Sequence, residues 1–123
     1  MRRAARILVV DDEPAIRALV TRALQSAKYE VISMNDGAAG LDPATTAEMP
    51  FDLIVTNNHM PHMSGAEMIA ELRRHFPGQS ILHLDDLSLP QSPALPADIP
   101  NLYKPFSVDL LLSEVERLLS RRR

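Results

Sequence analysis

The chain has 123 residues, 46% hydrophobic and 24% charged, the balance of an ordinary globular protein with one core. Cysteine is absent, which excludes disulfides and thiolate chemistry and suits a reducing cytoplasm, the expected location. A net charge of -3 argues against nucleic-acid binding by the domain as a whole, and no apolar run approaches the ~20 residues of a membrane span.

The basic start, Met1 to Arg6, leads into an apolar stretch that meets Asp11-Asp12 too soon for a signal peptide. Arginines also gather at Arg121-Arg122-Arg123 and are read as solvated ends, favoured by a helix C-terminus.

Arg6 to Val10 is a branched, apolar run of the kind that forms a buried strand. Pro14 suits a first helical turn, and Ala15, Ile16, Leu19, Val20, Ala23 and Leu24 recur at helical spacing over about residues 14–27. Tyr29 to Ser33 reads as a second strand. Asp36-Gly37 opens a helical segment that Pro43 should shorten, bend or split. Phe51 to Thr56 is the third strand, Asn57 to Ser64 a loop, and Gly65 to Phe76 a helix stopped by Pro77-Gly78. Ser80 to Leu84 is the fourth strand, and Leu102 and Tyr103 begin a short fifth. Ser107 can cap a last helix reaching about Ser120.

Strands alternating with helices predict a parallel sheet covered on both faces, an α/β flavodoxin-like fold with strand order 2-1-3-4-5. Strands one and three are then neighbours at the topological switch, so Asp11, Asp12 and Asn57 meet in one crevice. One stretch breaks the pattern. A helix is expected between strands four and five, yet Pro90, Pro93, Pro96 and Pro100 fall there, each costing ~3 kcal/mol inside a helix. The segment 86–101 is therefore expected to be irregular, with the fourth helix lost.

Ile7-Leu8-Val9-Val10-Asp11-Asp12-Glu13-Pro14, then Asp52 to Asn57 with Met60-Pro61 and Gly65 downstream, then Lys104-Pro105-Phe106, together resemble the CheY-like receiver domain of two-component response regulators, over nearly the whole chain. The resemblance implies one domain spanning 1–123. It implies a magnesium site from Asp11, Asp12, the acceptor side chain and the backbone carbonyl of His59. It also implies a lysine, Lys104, that pairs with the acceptor, and a cis peptide before Pro105.

Three positions and one element depart from that pattern. The acceptor position holds Asn57, whose amide cannot form the acyl phosphate of a carboxylate. It keeps an amide oxygen, so weakened magnesium binding is expected. Asp85 stands where a threonine or serine hydroxyl would bind phosphate; it would repel phosphate but can pair with Lys104. Asn101 stands where a switching aromatic is usual, with Tyr103 two residues on and on the same face. The fourth departure is the lost helix.

These departures point to a pseudo-receiver that signals without phosphorylation. Its partner would be a histidine kinase, a phosphotransfer protein or another regulator, and it would not be an enzyme. One alternative is a phosphoaccepting receiver whose acceptor was mutated or displaced to Asp85, Asp11 or Asp12. Another is a small-ligand module in the same crevice, which the lack of a glycine-rich phosphate loop disfavours. His59 and His62 flank Pro61, which prevents the one-face helix a His-x-x-His metal site needs. His83 is read as buried and hydrogen-bonded. The chain is either a stand-alone regulator or the N-terminal part of a longer one.

Overall fold

In this computed structural model, which describes residues 4–37, 39–41, 50–90 and 95–121, five parallel strands lie in the order β2-β1-β3-β4-β5. They are β1 (Arg6–Val10), β2 (Glu30–Met34), β3 (Leu53–Asn57), β4 (Ile81–Asp86) and β5 (Asn101–Lys104). Among the described residues, the helices with full bounds are α1 (Pro14–Ser26), α2 (Gly65–His75) and α3 (Val108–Ser120). The expected flavodoxin-like architecture is thus the observed one.

Alternation along the strands sorts the core into two layers. Ile7 and Val9 of β1, with Val55 of β3 and Leu84 of β4, face a cluster completed by Leu24 of α1 and Leu111 and Val115 of α3. Leu8 and Val10, with Ile54, face Met68, Ile69 and Leu72 of α2. Burying each such side chain contributes about 1.5–3 kcal/mol.

Helix ends follow local chemistry. Pro14 occupies the first turn of α1. Ser64 and Glu67 form a reciprocal capping box at the start of α2. The Ser107 hydroxyl accepts the Leu110 N–H at 3.0 Å and starts α3. After β2, Asp36 accepts the Ala39 N–H at 2.7 Å and opens a helical turn at residues 37 and 39–41. Pro43 lies outside the described residues.

Element ends moved by a residue or two. β3 runs on through Asn57, and β4 runs on to Asp86 because Asp85 and Asp86 pair with Tyr103 and Lys104 of β5. Asp85 therefore sits inside a strand and not just past its end. Between β4 and β5 the described residues form turns and extended chain without a helix, and residues 91–94 lie outside the described residues. Arg73 of α2 clamps this connection through Asp98, at 3.2 and 2.7 Å, while Ile99 is buried in the α2-side core. No described helix is long and apolar enough to cross a membrane.

Candidate functional site

The parallel pairing of β1 with β3 places Val10 beside Thr56, so the residues that follow, Asp11 and Asn57, leave the sheet side by side. Asp11 is fully buried. Its Oδ1 accepts the Glu13 N–H at 2.9 Å, and its carbonyl accepts from the Arg17 guanidinium at 2.8 Å. The Asp11 carboxylate thus shapes the turn into α1 without capping it, since Glu13 is the residue at the N-cap. Burial raises the Asp11 carboxyl above the usual range, against the pull of the Glu13 N–H and of Lys104. Its Oδ2 accepts no hydrogen bond among the described residues and lies 3.5 Å from the Lys104 ammonium.

Asn57 is the centre of the crevice. Its Nδ2 donates to Asp12 Oδ1 at 3.2 Å and to the His59 carbonyl at 3.0 Å. Its Oδ1 accepts from Lys104 Nζ at 3.0 Å. The partners determine this orientation: an ammonium only donates, while a carboxylate and a carbonyl only accept. The amide oxygen, expected from the sequence to remain as a weak metal ligand, is here turned to the lysine.

Lys104 reaches over from the end of β5, just before the Lys104–Pro105 peptide, which is cis. Its ion pairs are with Asp11 and with Glu13, the latter at 2.8 Å. The pairing open to Lys104 and Asp85 does not form. Asp85 is buried and its Oδ1 accepts the Asp86 N–H at 2.8 Å. On β4 it shares a face with His83, two residues earlier, instead of facing the lysine. The second carboxylate paired with the lysine is Glu13, to which the sequence alone assigned no role. Its signal was present: Glu13 is the last of three consecutive acids at the end of β1.

Asn101 faces β4, where its Oδ1 meets His83 Nδ1 at 2.5 Å. The acceptor there assigns the imidazole proton to Nδ1, leaving His83 Nε2 buried without a partner among the described residues. Burial pushes the His83 imidazole below its ordinary value, against the Asn101 bond and the nearby Asp85 charge. Tyr103 is exposed on the same face of β5. His62 adopts a left-handed conformation with φ 69, and His59 Nε2 lies 3.3 Å from Asn58 Nδ2. Among the described residues no three of His, Cys, Asp or Glu converge as metal ligands.

A crevice at the carboxyl ends of β1 and β3, overhung by a lysine from β5, is the arrangement of receiver-type signalling domains. Residues 7–87 match the response regulator receiver domain, and the chain belongs to that family. It is 31% identical to the response regulator receiver protein CpdR of Brucella abortus, over 93% of this chain and 96% of that protein. It is also 31% identical to the sensor kinase CckA of the same organism, over 97% of this chain but only 13% of the kinase. Among solved structures, the chemotaxis response regulator CheY4 of Vibrio cholerae aligns with a TM-score of 0.79 at 31% identity, covering 94% of this chain and 99% of that one.

Receiver domains are non-catalytic modules of two-component signalling that generally interact with histidine kinases and phosphotransfer proteins. The family typically binds magnesium. The residues here do not fit that ion as they stand, because an N–H donor points at the Asp12 and His59 oxygens that would ligate it.

Proposed function

We propose that this receiver domain signals without taking a phosphoryl group, as a binding module for a histidine kinase, a phosphotransfer protein or another regulator in the cytoplasm. The observation that carries this reading is Asn57 at the end of β3 with every polar atom of its amide engaged. An amide offers no carboxylate nucleophile. Its three partners also leave no donor unpaired that would draw in a phosphate. A displaced acceptor at Asp85 is disfavoured, since that carboxylate is buried and already holds the Asp86 N–H.

Incubation with acetyl phosphate and magnesium, followed by intact-mass measurement, tests the proposal. The wild-type chain is expected to gain no phosphoryl group, and Asn57→Asp to gain one. A phosphoryl adduct on the wild-type chain, mapped to Asp11, Asp12 or Asp85, would overturn it.

A further inference from the structure

We infer that the side-chain amide of Asn57 has taken over the place of the divalent cation in this crevice. This rests on reading the crevice as a receiver site, but its grounds and its test are separate from phosphorylation. A magnesium ion would draw together the Asp12 carboxylate, the residue-57 side chain and the His59 carbonyl. Here Nδ2 bridges Asp12 Oδ1 and the His59 carbonyl, at 3.2 and 3.0 Å. An amide nitrogen carries two protons, and both are used.

The other end of the same amide is held too. Lys104 donates to Oδ1 at 3.0 Å, and the lysine is kept there by Glu13 at 2.8 Å and Asp11 at 3.5 Å. Turning the amide over to offer its oxygen to a metal would set the NH2 group against the ammonium. It would also set Oδ1 against two oxygens before any ion arrived. Magnesium requires oxygen ligands at about 2.0–2.1 Å in near-octahedral array and gives up its own water reluctantly. Entry of the ion therefore requires Nδ2 to leave, which breaks both of its hydrogen bonds and the one that Oδ1 accepts from Lys104. The ion would gain only a neutral ligand where the family offers a carboxylate.

The consequence is a crevice whose β1 and β3 ends are tied together without metal. The bridge that in a receiver depends on ion concentration is here covalently part of the chain, so the loop after β3 is held in one arrangement whatever the magnesium level. Asp12 and the His59 carbonyl are satisfied by a group that cannot dissociate.

The test uses the full chain, stripped with a chelator and titrated with magnesium chloride against sodium chloride of equal ionic strength. Thermal melting and amide NMR are the readouts. The wild-type protein is expected to show no magnesium-specific change in Tm and no saturable shift at Asp12 or His59. Asn57→Asp is expected to melt lower than wild type in chelator, because the amide bridge is gone. It should recover by about 3–6 °C once magnesium stands roughly tenfold above its dissociation constant. A saturable magnesium shift in the wild-type protein overturns the inference. So does an Asn57→Asp protein that ignores the ion, since the amide would then not be what displaced it. A wild-type protein that binds magnesium yet gains no phosphoryl group overturns this inference alone and leaves the proposed function standing.

Discussion

At Gly65 the requirement is for space and not for an unusual backbone angle, since no glycine here has a positive φ. A Cβ at this position would lie 2.3 Å from the Asn57 carbonyl oxygen and 2.9 Å from Asn58 Cα. Both are backbone atoms and cannot swing aside. The Gly65 N–H also donates to the Asn58 carbonyl at 2.8 Å, so the glycine seats α2 directly against the end of β3. Gly65→Ala is expected to cost about 3 kcal/mol by overpacking, read as a lower urea midpoint. A loss below about 0.5 kcal/mol, typical of a neutral surface change, would refute the close seating. Asn57 and Lys104 were legible as a pair because residue type and position within the strand pattern agreed. The partners of Lys104 were not. Choosing Glu13 over Asp85 depends on which way a strand residue points, and that turned on β4 being longer than its apolar run.

The connection between β4 and β5 shows local chemistry deciding an element outright. Prolines without a free N–H make a helix too costly there, and no helix is seen among its described residues. What replaces the helix as a fastener is not local. Arg73 spans Asp98 and also donates from Nε to the Gln79 carbonyl at 3.1 Å, and Gln79 in turn donates to the Phe51 carbonyl at 3.1 Å. Arg73→Ala is expected to cost about 1–2 kcal/mol, since a buried-edge carbonyl loses its donor along with the ion pair. Asp98→Asn removes only a solvent-screened partner and should cost about 0–1 kcal/mol. Denaturation of the two variants side by side checks this. Equal losses would mean that the Arg73–Asp98 pair, and not the hydrogen bond to Gln79, holds the segment.

The protein as a whole should lose stability on mild acidification because of one residue placed between its layers. His83 is buried and neutral, with Asn101, Asp85 and His59 as the polar or charged groups bearing on it. Its pKa lies below the ordinary 6.5, so at intermediate pH the unfolded chain binds a proton that the folded chain does not. Stability contributed by keeping His83 neutral is present above about pH 6.5 and is lost as pH falls from there to the depressed value. Its slope is at most about 1.4 kcal/mol per pH unit. Asp11, raised by burial, acts in the opposite sense from 3.8 upward, so the test is the difference between wild type and His83→Gln. The variant should show the shallower loss between pH 6.5 and 5; parallel curves would sink the assignment.

From sequence alone came whatever depends on spacing and on backbone chemistry. Alternating strand and helix periods specified the sheet and its order, prolines removed a helix, and Asn57 in an acceptor's place ruled out an acyl phosphate at that position. The tertiary structure was needed for whatever depends on the direction of a side chain. It turned the Asn57 oxygen to Lys104 and its nitrogen to Asp12 and His59, put Glu13 beside the lysine, and buried Asp85 against its own strand. The reason is physical. Periodicity reports which face a residue occupies, but the Asn57 amide also takes its orientation from Asp12 and Lys104, which lie 45 and 47 residues away in the chain and meet it only when the sheet closes.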